Sequence, residues 1–155
     1  MLGGVTMTIT AKPAMHDDTP ALIVQLLEAR ATVYIARLCL TLPFWWSGID
    51  KLLHPHAALA EMQGLGLPPS WILYGLLLIV QLGGSLAIIA NRFAWLGAGA
   101  LGVFTAIVTY MAHAFWTMQG SQRFAEMNDF LEHVSLIAGM VFAALHCHEV
   151  KAADR

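Results

Sequence analysis

Charge is scarce in this chain. Of its 155 residues, 8 are Lys or Arg and 10 are Asp or Glu, so only 12% are charged. A soluble domain carries about 25%, so a surface that mostly meets water is excluded. There is no basic run, and the formal net charge of −2 gives no sign of nucleic-acid binding. Cysteine is equally sparse. Cys39 and Cys147 are the two thiols, without a CxxC motif or a disulfide framework, although their positions leave pairing open. No dinucleotide fingerprint is present. Residues 1–20 contain prolines and polar side chains but no apolar h-region. They do not resemble a cleaved signal peptide and read as a disordered tail, with Met7 as an alternative start.

What the chain has in quantity is apolar length. The apolar fraction is 58% and the mean hydropathy is +0.66. Four stretches, at about 31–53, 71–90, 93–115 and 130–146, are each long enough to cross a bilayer. A hydrocarbon core of about 30 Å needs about 20 helical residues. The expected fold is therefore an all-α integral membrane protein, an antiparallel four-helix bundle in one domain over 21–148. Before it, Ala21 to Arg30 sets Leu22, Ile23, Leu26 and Leu27 around Gln25, Glu28 and Arg30, the pattern of a short interfacial helix. Residues 149–155 read as a polar C-terminal tail.

The connections are 54–70, with turn signals at Gly64, Gly66, Pro68 and Pro69, then Asn91-Arg92, then the polar segment 116–129. An even number of spans puts both termini on one side. Lys12, Arg30, Arg37, Arg92, Lys151 and Arg155 lie on that side, against Lys51 and Arg123 on the other. The positive-inside rule then places both termini in the cytoplasm. Trp45, Trp46, Trp71, Trp95 and Phe115-Trp116 would sit near the headgroups.

Helices in lipid pack through small residues at four-residue spacing. The third span offers Ala94, Ala98, Gly102 and Ala106, the fourth Ser135, Gly139 and Ala143, the second Gly75, Gly83 and Ala87. Short loops favour packing within the chain over a homodimer, which the same stripes could also serve.

Polar groups inside lipid need a partner or a purpose. Arg37 shares a helical face with Thr41, Phe44, Gly48 and Lys51. Its guanidinium either snorkels to the headgroups or turns inward, where Gln81 is the natural partner. Gln81 shares its face with Tyr74, Gly84 and Ser85. At the end away from the termini gather Asp50, Lys51, His54 and His56, then His113, then Asn128, Asp129, Glu132 and His133. Of these, Glu132 aligns with Ser135 and Gly139 and is expected to face the bundle. Histidine beside carboxylate suits proton transfer. The same ligand types suit zinc, iron or manganese, and paired histidines could hold a haem, but no residue is assigned to a metal. The string His146-Cys147-His148-Glu149 cannot chelate one ion on a helix, because i and i+2 point about 200° apart.

Several strings occur here in an order that resembles the DoxX family of small four-span bacterial membrane proteins. They are Arg37 followed by PFWWSGIDKLLHP, then GLPPSW, QLGGSLAII, Asn91-Arg92, HAFW and DFLEHVSLIAGM, over about 30–146. The family commonly has Glu where Gln81 stands and Asn where His133 stands. The resemblance implies a bacterial inner-membrane location and an association with redox enzymes, some of them quinone-linked.

Two functions follow as expectations. One is a redox-associated component that binds a quinone or similar lipophilic substrate. Arg37, Gln81, Tyr74 and Lys51 would bind it, and His113, Glu132 and His133 would handle protons. The other is a non-enzymatic scaffold or accessory subunit of a membrane redox partner, with a haem or metal binder ranked third.

Overall fold

The computed structural model of the chain describes residues 20–153. Among these, all regular structure is helical. Helix α1 (Ala21–Glu28) is the short amphipathic lead-in, with no buried residue, and it bends at Ala29 into the first span. A short helix thus stands where the sequence pattern expects one. The disordered tail expected over 1–20 lies, apart from Pro20, outside the described residues.

The first apolar stretch forms two helices, not one continuous span. They are α2 (Arg30–Leu40) and α3 (Leu42–Leu53), and they join at Thr41. Pro43 lies in the first turn of α3, where its missing N–H costs least, and its ring prevents the helix from running through. Side chains serve the carbonyls around the break. Thr41 Oγ1 donates to Arg37 O at 2.8 Å, and Trp45 Nε1 donates to Leu38 O at 3.2 Å. The face inferred for this stretch is the one that packs. Arg37, Thr41, Phe44 and Gly48 are all buried.

The loop expected over 54–70 contains a further helix, α4 (Pro55–Gly64), begun by Pro55 and anchored by buried Ala58 and Met62. The second span is α5 (Trp71–Leu78), a π-helical turn at Ile79–Gly83, then α6 (Gly84–Ile89). Asn91 and Phe93 adopt positive φ in the tight turn to the third span, α7 (Ala94–Ala112). A 3₁₀ turn at Phe115–Thr117 and a left-handed Gly120 lead into α8 (Gly120–Ala153). The last helix therefore starts ten residues before its apolar stretch does. Gln122, Arg123, Ala125, Glu126 and Met127 are good helix formers, so the polar segment is helix as well. At the other end α8 continues through 149–153, which had been expected as a tail.

Among the described residues, three helices are long and apolar enough to cross a membrane on their own: Trp71–Ile89, Ala94–Thr117 and Gly120–His148. The broken α2–α3 pair completes the bundle. α3 packs on α5 and the π turn, α6 on α7, α7 on α8, and α8 returns to α2. All four meet in a core of Phe44, Ile88, Ala98, Leu101 and Met140. Outside it, a belt of large apolar side chains faces outward, including Ile72, Leu86, Val103 and Phe142. That exposure is what lipid requires.

Of the stripe expected on α7, Ala94 and Ala98 pack while Gly102 and Ala106 do not. The buried face of the helix is Ala94, Gly97, Ala98, Leu101, Thr105 and Thr109. Gly102 has open space beside it, and Ala106 points outward. The tight contact is instead Gly97 against Gly84, where a Cβ on Gly97 would stand 2.6 Å from the Gly84 carbonyl oxygen. Gly139 of the fourth stripe does pack closely, against Leu40 of α2. In the second span Gly75 and Gly83 have nothing within 4 Å.

Candidate functional site

Polar side chains lie at three levels. At the terminal end, Arg37 turns inward and is buried, so it does not snorkel. Its Nη2 donates to Cys147 Sγ at 3.5 Å, not to Gln81. Gln81 Nε2 donates instead to Ser47 Oγ at 3.3 Å. Ser47 is ten positions beyond Arg37, about 15 Å along a helix at 1.5 Å per residue, so the expected Arg37–Gln81 pair does not form. Cys39 and Cys147 are both free thiols, the first exposed and the second buried. His146 and His148 point outward on either side of Cys147, as helical geometry demands.

The middle level holds a cavity of about 770 Å³ between α3, α5, the π turn and α7, with α4 across its mouth. Along α7 its wall runs from Trp95 to Met111, a length of about 24 Å at the helical rise. Nearly all of the lining is Leu, Val, Ile, Met, Phe, Trp, Ala and Gly. The polar exceptions are Ser47, Lys51, Glu61 and Gln81. They form a chain. Lys51 Nζ pairs with Glu61 Oε2 at 2.8 Å and donates to Ser47 Oγ at 3.0 Å, and Ser47 in turn accepts from Gln81. Gln81 is 4% exposed, and its Oε1 has no hydrogen-bond partner. Such an orphan is expensive in an apolar surrounding. It sits in the π turn, and π turns recur at functional positions because they re-aim the side chains they carry.

Of the four substrate-binding residues expected from sequence, Lys51 and Gln81 line this cavity. Tyr74 stands behind it, its hydroxyl donating to Lys51 O at 3.0 Å. Arg37 is elsewhere. Ser47 and Glu61 were not anticipated. Ser47 lies one turn before Lys51 on the same face, which was a readable signal. Glu61 had none, because only the unforeseen α4 brings it back over the mouth.

At the end away from the termini, His113 follows the last turn of α7. Its backbone is held on both sides, His113 N–H donating to Thr109 O at 3.0 Å and its carbonyl accepting from Phe115 N–H at 2.9 Å. Its Nδ1 lies 2.8 Å from Glu126 Oε2, and its ring centroid is 4.9 Å from that of His133. His133 Nδ1 is buried without a partner. Glu132, expected to face the bundle, points outward together with Ser135. Glu126 takes the place proposed for it, because the early start of α8 carries Glu126 to the level of His113. Asp129 joins this cluster, while Asp50 and His54 pair separately at the exposed end of α3, 3.1 Å apart. A histidine with two carboxylates can exchange protons or hold a divalent ion.

Fold and site together define a small all-α integral membrane protein with a mostly apolar cavity among its membrane-spanning helices. The DoxX family matches this chain over residues 32–114, which is more than half of it, and the chain belongs to that family. The match ends at His113-Ala114, before α8. No curated protein and no solved structure matches the chain.

Proposed function

We propose that this DoxX protein holds a lipophilic molecule with a polar head, of the quinone class, as a redox-associated component of the bacterial inner membrane. The carrying observation is a mostly apolar cavity of about 770 Å³ in whose wall Gln81, with an unpaired and buried amide oxygen, joins Ser47, Lys51 and Glu61. The long apolar wall suits a chain such as an isoprenoid tail. The polar chain at one side suits a ring with oxygen substituents. Lys51 Nζ donates to a carbonyl oxygen, and Gln81 Oε1, once its amide turns toward the cavity, accepts from a hydroxyl, so the pair can recognise both the oxidised and the reduced ring. Tyr74 serves this site by holding the backbone at Lys51. The reading is one of binding and positioning.

The experiment is to purify the protein with its native lipids, extract them and measure quinone by mass spectrometry. A thermal melt with added ubiquinone or menaquinone follows. Retained quinone and a rise in melting temperature, both lost in Gln81→Leu, support the reading. No retained quinone and no shift would end it.

A scaffold is the second reading, and one observation favours it. A second cavity of about 470 Å³ opens beside Gly99 and Gly102 between α7 and α8, as a seat for a helix of another membrane protein would. Gly102→Leu fills that seat without touching Lys51 or Gln81. If it abolishes cellular function while quinone retention is unchanged, the scaffold reading prevails.

A further inference from the structure

The geometry points to a divalent transition-metal site at the end of the bundle away from the termini, held by His113, Glu126 and Asp129. Each of the three offers one ligand atom, and those atoms all lie within 4.8 Å of one another. Two donors about 2.1 Å from one ion stand about 3 Å apart in octahedral geometry and slightly further in tetrahedral. The His113–Glu126 contact of 2.8 Å is therefore already near the spacing of two ligands. For these two donors an ion replaces the shared proton with a movement of a few tenths of an ångström, and the exposed Asp129 carboxylate, within 4.8 Å, swings in to complete the set.

The site is built on rigid parts. Glu126 and Asp129 are three residues apart on α8 and share a face. His113 comes from the neighbouring helix end, where two backbone hydrogen bonds fix its Cα. Charge points the same way. Two carboxylates face one imidazole, and among the described residues no Lys or Arg pairs with Glu126 or Asp129. The uncompensated negative charge is satisfied by a cation. His133, one turn beyond Asp129, packs its ring against that of His113, with centroids 4.9 Å apart, and so helps to fix the His113 imidazole. Mixed nitrogen and carboxylate oxygen ligands suit Zn²⁺, Fe²⁺ or Mn²⁺. Asp129 is exposed, so the ion would keep an open side. None of the three ligands lines the large cavity, and the inference is independent of the quinone reading.

The test uses the full chain in detergent, stripped with a chelator and titrated with Zn²⁺, Mn²⁺ and Co²⁺ by calorimetry and, for Co²⁺, by visible absorption. One saturable equivalent is expected, with binding weakening as pH falls because protons compete for the ligands. Glu126→Gln and His113→Asn are each expected to lower affinity by roughly 100-fold, the upper range for disturbing a metal's supporting groups. Outward-facing Glu132→Gln is expected to change nothing. Should either of these partly buried variants fail to fold, judged by its metal-free melting temperature, Asp129→Asn on the surface carries the same expectation. No saturable binding by the wild-type chain, or affinity unchanged in the ligand variants, overturns the proposal.

Discussion

Arg37 and Gln81 are buried polar residues with opposite solutions to the same problem. Arg37 has a weak partner, the Cys147 thiol at 3.5 Å, and Gln81 keeps one amide atom unpaired. Removing a partner from a buried charge costs about 1–3 kcal/mol or more. Cys147→Val should therefore lower stability by at least that, read as a melting temperature in detergent. Adding Arg37→Met should restore most of the loss, because an apolar isostere of a buried charge is often neutral or better. An additive double variant would show that the contact is not energetically real. Lys51 is different. Its partner Glu61 is half-exposed, with a side-chain exposure of 56%, so Lys51→Met should move stability by no more than about 1 kcal/mol. The same variant should clearly weaken quinone retention. Equal effects on both would assign Lys51 to the fold and not to the ligand.

Between elements, closeness of approach decides. A Cβ on Gly97 would meet the Gly84 carbonyl at 2.6 Å, whereas Gly102 has nothing within 4 Å. Gly97→Ala should push α6 and α7 apart and cost about 1–3 kcal/mol. Gly102→Ala should be neutral or stabilising by up to about 1 kcal/mol, since alanine favours helix over glycine. Thermal unfolding of the two variants side by side checks the pair. Sequence spacing pointed to Gly102 because both residues lie on small-residue rows, and one step along a helix turns a side chain by about 100°. Which row meets the neighbour depends on where the second span arrives, and the π turn at Ile79–Gly83 alters that. The same small rotation separates Glu132, which faces out, from His133, which faces in. Glu126 was hidden for a different reason. Apolar windows locate the lipid-embedded part of a helix, and α8 extends beyond it by ten polar-rich residues at its start.

On the scale of the molecule, the membrane is the solvent that makes the outward-facing leucines, valines and tryptophans stable. By the positive-inside rule the charge pattern of the sequence predicts that both termini are cytoplasmic. A fluorescent protein fused after Arg155 should fluoresce in cells, and alkaline phosphatase fused there should be inactive. Fused in the segment between α3 and α5, phosphatase should be active. The reverse pattern would invert the topology and place the metal-ligand cluster in the cytoplasm.

Membrane residence, the helical class, the order of the spans and the inward face of the first one were all readable from the chain itself. They follow from hydropathy and the 3.6-residue period, which are local properties. The broken first helix was foreshadowed by Pro43, and the π turn only loosely by Gly83-Gly84. The partner of Arg37, the carboxylate beside His113, the working row of glycines and the cavity beneath Gln81 belong to the tertiary structure. Each depends on the rotation and depth of one helix against another, and those are set by the packing of residues far apart in the chain.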